Sequence, residues 1–258
     1  MTCLDFTHAI LRTPGRSVVD GLRAHDGAGP DYDALLAEHT AYAQALRDLG
    51  LTVEILDPLE QFPDSVFVED PALVFGEGAI LMKPGAASRQ GEVALIRPAL
   101  DRHFAQVIAL AEGHADGGDI MVTPNKVLIG LSARTDPTGA AALIAALARL
   151  GYAGEVVDPP RGALHLKTIA ALIDEETILT TRAGETLFPG FRTIVTDAAE
   201  DAACNALRVG GTLLLSAQHP RIAERLDRAG YTLRLLDTIH VARVDAGLSC
   251  MSLRWKAA

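Results

Sequence analysis

One short pattern recurs along the chain and limits its architecture more than any other feature. Leu49-Gly50-Leu51-Thr52-Val53-Glu54-Ile55-Leu56-Asp57, Leu150-Gly151-Tyr152 running on to Val157-Asp158, and Ala229-Gly230-Tyr231-Thr232-Leu233-Arg234-Leu235-Leu236-Asp237 read alike. Each is a glycine that ends a helix, followed by an apolar strand that closes on aspartate. The preceding segments carry helical faces: Leu35, His39, Tyr42, Leu46 and Leu49 in one, Leu143, Leu147 and Leu150 in another. Asp136-Pro137 and His219-Pro220 put proline where a first helical residue belongs.

Ahead of the helices the pattern switches to hairpins. Residues 72–75 and 79–82 flank Gly76-Glu77-Gly78, and residues 120–122 and 127–129 flank Pro124-Asn125. Residues 169–173 and 177–179 flank Asp174-Glu175, and residues 207–209 and 212–215 flank Gly210-Gly211. A fifth hairpin needs the two chain ends, residues 249–255 against 8–11. The unit is hairpin, helix, strand, and the fourth copy is truncated because residues 183–189 are too short and too rich in Gly and Pro for a full helix. An ordinary α/β sandwich would use the same elements. Termini that complete one unit instead predict an α/β fold of ββαβ-type repeats closed into a five-bladed ring with pseudo-fivefold symmetry, forming one catalytic domain over residues 1–258.

Bulk properties exclude several function classes. A formal net charge of −10 with no dense Lys/Arg cluster argues against a nucleic-acid partner. Residues 1–17 have Asp5 early and no apolar core of a signal peptide, and the apolar run at 140–148 is too short for a bilayer. Cys3, Cys204 and Cys250 are too few for a disulfide framework, and no Cys/His pair has zinc spacing, so no metal is expected. The chain reads as a cytoplasmic protein with no membrane partner.

Polar residues gather where strands begin. Asp64-Ser65-Val66-Phe67-Val68-Glu69-Asp70, Asp116-Gly117-Gly118-Asp119, Leu164-His165-Leu166-Lys167 and Ser249-Cys250-Met251 lead into successive hairpins, while Arg89 and Arg134 follow two of them. In a ring, equivalent positions converge on the axis. The set suits attack on a guanidinium: Cys250 as a soft nucleophile, His165 as the acid for a strongly basic leaving amine, and Asp116 or Asp119 behind the imidazole. Asp64, Glu69 and Asp70 would pair with the guanidinium fork, and Arg89 and Arg134 with a carboxylate at the far end. Each residue has an ordinary alternative: a core cysteine, a satisfied core histidine between leucines, an Asp-Gly-Gly-Asp turn, a solvated arginine. Their joint recurrence at equivalent positions favours a site.

At these residues the sequence resembles the dimethylarginine dimethylaminohydrolases, in their short bacterial form. The markers include Arg12-Thr13-Pro14, Phe62-Pro63-Asp64-Ser65-Val66-Phe67-Val68-Glu69-Asp70-Pro71, Ser88-Arg89, Gly118-Asp119-Ile120-Met121, Ser132-Ala133-Arg134-Thr135, Leu164-His165-Leu166-Lys167-Thr168 and Ser249-Cys250-Met251-Ser252-Leu253. The resemblance implies the five-bladed α/β-propeller (pentein) fold and hydrolysis of methylated arginines to citrulline and an amine, without a cofactor. It implies Cys250, His165 and Asp116 as catalytic residues, and Leu22, Asp64, Glu69, Asp70, Arg89, Arg134 and the Val244 backbone as contacts of a small arginine derivative. It further implies a mobile loop at residues 21–32 and a homodimer. Arginine deiminases and amidinotransferases share the chemistry and are the main alternative; a non-catalytic binding protein on the same ring is the other.

Two departures and one proline carry expectations. Asp116 stands where close bacterial relatives have glutamate, so its contact with His165 is expected over a shorter arm. Cys204-Asn205 inverts the family's Asn-Cys order, which on a strand would turn the asparagine to the opposite face. Pro98 should kink or restart its helix.

Overall fold

The computed structural model describes residues 3–24 and 27–257. His25 and Asp26 of the expected loop lie outside the described residues. Five three-stranded sheets share one wiring. Strand β1 (His8–Arg12) runs parallel to β2 (Thr52–Leu56), with helix α1 (Tyr32–Asp48) between them. The second sheet joins β3 (Ala72–Phe75), β4 (Gly78–Leu81) and, beyond α2 (Glu92–His103), β5 (Val107–Ala109). The third holds β6 (Ile120–Val122), β7 (Val127–Gly130) and, after α3 (Pro137–Arg149), β8 (Gly154–Val157). The fourth follows α4 (Leu166–Ile169) with β9 (Ala170–Leu172), β10 (Thr177–Thr180) and β11 (Arg192–Val195). The fifth is β12 (Leu207–Val209), β13 (Thr212–Ser216), α5 (Pro220–Arg228) and β14 (Thr232–Leu236). After α6 (Ile239–Ala242), strand β15 (Leu253–Trp255) returns antiparallel to β1 and completes the first sheet, pairing Ile10 with Leu253.

The recurrent glycines do what the repeat requires. Gly50, Gly151 and Gly230 take φ of +91°, +87° and +91°, a region open chiefly to glycine, and each turns a helix end into an outer strand. Asp136 caps α3 by accepting from Gly139 N–H at 2.7 Å, with Pro137 at the first helical position. The fourth copy is truncated as the sequence indicates: a single 3-10 turn, Arg182–Gly184, stands between β10 and β11 in place of an α-helix. Helix α2 runs unbroken through Pro98, so it does not restart there.

Middle strands are buried on both faces, and alternate residues feed different cores. Ile80 of β4 packs with Ile120, Ile129 and Leu143 of the third unit, whereas Ala79 and Leu81 pack with Ile10 and Trp255 of the first. Ile178 joins the core under Leu128, and Leu179 the one holding Leu213. Leu214 in turn shares a core with Leu11, Leu35, Tyr42 and Leu46. A cavity of about 450 Å³ lies among the innermost strands, reached by Leu73, Met121, Ala171, Leu207 and Leu253. A smaller one, about 160 Å³, is bordered by the strand-entry loops. No helix of the described residues is long and apolar enough to cross a membrane.

Candidate active site

Cys250 sits in a 3-10 turn, Ser249–Met251, rather than in the strand expected from residue 249 onward. The turn is held from three sides. Glu69 N–H donates to the Cys250 carbonyl at 3.2 Å, and Ser249 N–H donates to Asn205 Oδ1 at 2.9 Å. Asn205 Nδ2 reaches the Cys250 sulfur at 3.5 Å. Asn205 therefore faces the thiol. It lies at the end of a 3-10 segment, Ala198–Cys204, where strand alternation does not apply, so the inverted Cys-Asn order does not turn it away. A Cβ on Gly247 would stand 2.5 Å from the Asn205 carboxamide, which explains a glycine there.

Cys250 borders the smaller cavity with Leu22, Asp64, Asp70, Arg89, Asp116, Arg134, His165 and Val244. His165 Nε2 lies 3.2 Å from Asp116 Oδ2, and the other Asp116 oxygen accepts from Gly85 N–H at 2.8 Å. Asp119 does something else. One of its oxygens accepts from Leu166 N–H at 2.9 Å, at the start of α4, and the other from Ser132 and Thr135 hydroxyls at 2.6 and 2.7 Å. It fixes the backbone beside His165, while Asp116 meets the ring. Both glycines between them are there for close approach: a Cβ on Gly117 would fall 1.9 Å from the Glu69 carbonyl, and one on Gly118 2.6 Å from His165 Nδ1.

Electrostatics separate the titratable groups. Burial would lower the His165 pKa, but the Asp116 hydrogen bond and the charges of Asp70 and Asp119 outweigh it and raise the value. Burial, then the Glu69 and Asp70 carboxylates, push the Cys250 thiol up to about 11. Burial also raises Asp64, against the Arg89 guanidinium and a 3.0 Å hydrogen bond from Leu22 N–H. For Asp70 burial is overcome by Arg89 and His165, and the carboxyl stays below its ordinary range. Among the described residues the grouping with metal-ligand geometry is Asp70, Asp116 and His165, whose ligand atoms lie within 4.8 Å of one another. These atoms are already committed: Asp70 to Arg89 and to Gly118 N–H, and Asp116 to His165 and Gly85.

Two expected substrate contacts also carry structural bonds, Arg89 at the smaller cavity and Glu69 at the larger. Arg89 is buried and spends its donors on both Glu92 oxygens at 3.0 and 2.7 Å, on Asp70, and on the Phe67 and Asp64 carbonyls at 2.9 and 3.1 Å. It ties down the loop carrying Asp64 and Asp70. Glu69 borders the larger cavity instead, with Lys167 at 2.5 Å, Arg254 at 3.0 Å and the Ser249 hydroxyl at 3.1 Å. Arg134 is half-buried at the smaller cavity and makes no ion pair among the described residues. Glu92, Lys167 and Arg254 are participants that sequence reasoning left without a role.

A family model described as arginine deiminase matches residues 55–201. The N(G),N(G)-dimethylarginine dimethylaminohydrolase of Pseudomonas aeruginosa is 40% identical over 256 residues, covering 97% of this chain and 100% of the relative. The chain belongs to the dimethylarginine dimethylaminohydrolase family. The Streptomyces coelicolor dimethylarginine dimethylaminohydrolase is 31% identical over 252 residues, covering 95% of this chain and 96% of that one. A solved structure of the P. aeruginosa protein, a cysteine-to-serine mutant complexed with citrulline, superposes with a TM-score of 0.93 at 38% identity, over 97% of this chain and 99% of that one. Another, a histidine-to-glycine dimethylarginine dimethylaminohydrolase carrying an adduct with S-methyl-L-thiocitrulline, also gives 0.93, at 39% identity over 96% and 99%.

Proposed function

We propose that this protein hydrolyses the guanidinium C–N bond of N-omega-methylated arginines, giving citrulline and dimethylamine or methylamine. The observation that carries the reading is the convergence, on one cavity of about 160 Å³, of a thiol, an imidazole backed by a carboxylate, two further carboxylates and an uncommitted guanidinium. Asp64 and Asp70 receive the substrate's cationic end, Arg134 its α-carboxylate, and Leu22 and Val244 frame the opening. Arg89, which also borders this cavity, holds the loop of Asp64 and Asp70, and Glu69 supports the cysteine turn from the larger cavity.

A resting thiol near 11 is a poor nucleophile at neutral pH. The incoming guanidinium cation stabilises the thiolate, so the proton leaves for solvent as substrate binds. The thiolate attacks the guanidinium carbon. His165, protonated, gives its proton to the departing dimethylamine or methylamine nitrogen, and an S-linked thiouronium remains on Cys250. Neutral His165 then takes a proton from water. Hydroxide adds to the same carbon, the C–S bond breaks, and citrulline forms as the hydroxyl proton is released.

The five sheets are read as a closed five-bladed ring within one domain over residues 1–258. Each of five apolar cores straddles two consecutive units, including the last and the first, which supports closure. The free thiols of Cys3, Cys204 and Cys250 favour a cytoplasmic setting, and a homodimer follows the family resemblance.

A panel of asymmetric dimethylarginine, monomethylarginine and arginine, assayed for citrulline and for released amine, tests the assignment. Wild type should release methylated amines, and Cys250→Ser should lose at least about a thousandfold in kcat. Full activity in that variant would remove Cys250 from the mechanism. The family-model match favours a second reading, deimination of arginine itself. Ammonia from arginine with no turnover of methylated arginines would select it.

A further inference from the structure

Three charged side chains meet beneath the nucleophile at the rim of the larger cavity. Glu69, Lys167 and Arg254 are largely buried, at 5, 15 and 11% side-chain exposure. Burying such a cluster is costly, and two cations on one carboxylate are weak evidence of a purely stabilising role. The arrangement of Arg254 indicates what it does instead. Its Nη1 lies 2.9 Å from the Ser249 carbonyl, 2.6 Å from the Ser252 carbonyl and 2.6 Å from Ser252 Oγ. These acceptors flank Cys250 on both sides in the chain. Nη2 reaches Glu69 Oε1 at 3.0 Å, and Glu69 holds the same turn through its backbone N–H to the Cys250 carbonyl and through Ser249 Oγ. Ser252 Oγ is fixed in turn by the fully buried Tyr42 hydroxyl, 2.5 Å away on α1. A rigid helix thus leads through Tyr42, Ser252 and Arg254 to the cysteine turn.

We propose that Arg254 is a positioning residue for the nucleophile, holding the turn that carries Cys250 and balancing the Glu69 carboxylate beside it. The two roles separate chemically. A planar fork spans acceptors on both sides of a turn, which an ammonium does not, whereas either cation offsets a carboxylate. Turn geometry acts on the attack itself and so on kcat. Charge balance acts on how readily the thiol ionises.

The inference rests on Cys250 being the nucleophile, so one readout must not depend on turnover. Iodoacetamide alkylation of Cys250 in ligand-free protein, followed by mass spectrometry at pH 8.5, supplies it. Arg254→Met should slow that alkylation at least about threefold, because with Lys167 as its one remaining ion-pair partner Glu69 is less fully offset and disfavours the thiolate more. Arg254→Lys should alkylate within about twofold of wild type. Both variants should lose about tenfold or more in kcat on dimethylarginine with KM within about twofold. Ser252→Ala, which removes one acceptor and no charge, should lower kcat in the same way and leave alkylation unchanged. Wild-type alkylation in Arg254→Met, or a wild-type kcat in Arg254→Lys, would overturn the proposal; so would a loss confined to KM. If Arg254→Met does not fold, Arg254→Lys and Ser252→Ala decide through the same kcat-against-KM split. If no methylated arginine is turned over by wild type, the function assignment fails while the alkylation comparison still judges Arg254.

Discussion

Asp116 meets His165 with one oxygen and a fixed backbone N–H with the other, so the carboxylate has little freedom to turn. In the proposed mechanism that rigidity matters because His165 must arrive protonated to release a basic amine. Its folded pKa is raised, so the imidazolium, and any stability it contributes, is fully present below the unfolded value of about 6.5 and is lost as pH rises through the folded value. Replacing Asp116 by Asn removes the charge and one of its two acceptor oxygens. We expect kcat to fall on the order of a hundredfold and the alkaline limb of the pH–rate profile to move to lower pH. A limb that stays in place would show that another group sets it. The choice between Asp116 and Asp119 was open in the sequence because two aspartates three residues apart are equivalent until the intervening turn sets their directions. Glu69 and Arg89 were legible as site residues, but not the bonds that hold them. A buried carboxylate or guanidinium is committed by its neighbours, and those neighbours, Glu92, Lys167 and Arg254, come from distant stretches of chain.

Elements were easier to read than their ends. Helix-end glycines, hairpin turns and the truncated fourth copy are local signals, and the structure follows them to within a residue or two. Ser249–Met251 escaped because residues 249–255 read as one apolar strand, while a 3-10 turn there depends on contacts to Asn205 and Arg254. The loop at residues 21–31 is another case of tertiary control. Its described residues are fastened to the segment after β14. Ala24 N–H donates to the Asp245 carboxylate, and Asp31 N–H to His240 Nδ1 at 2.9 Å. Asp245 takes φ of +53°, an uncommon backbone for any residue but glycine, asparagine or aspartate. Asp245→Ala removes the acceptor and strains that backbone, so Leu22, Arg23 and Ala24 should be held less firmly at the edge of the smaller cavity. KM should rise about three- to tenfold, while Asp245→Asn, which keeps both an acceptor and tolerance of positive φ, stays near wild type. Steady-state kinetics with the two variants check this, and equal KM values would mean that the contact does not shape the cavity's edge.

At the scale of the whole molecule, each middle strand sends alternate residues to two different cores, so no unit owns its interior. This is why the repeat was visible in a single sequence: every copy must satisfy the same two-sided burial. It is also why a polar group buried in one core is felt by the fold as a unit. His39 lies on the α1 face that carries Leu35, Tyr42 and Leu46, is 2% exposed, and its Nε2 has no hydrogen-bond partner among the described residues. Burial lowers its pKa to about 4. The unfolded chain, with histidine near 6.5, therefore binds more protons than the folded one between these values, and stability drains away as pH falls through that window. A gap of about 2.5 pH units corresponds to on the order of 3 kcal/mol. The sign is opposite to that of His165, whose contribution is lost toward high pH. His39→Gln keeps a polar side chain but cannot acquire charge. Thermal unfolding from pH 7 down to pH 4 should show the variant gaining on wild type steadily as pH drops, with the catalytic residues untouched. Parallel curves would mean that His39 finds a proton acceptor in the folded state, and that acid sensitivity resides in the buried carboxylates around Arg89 instead.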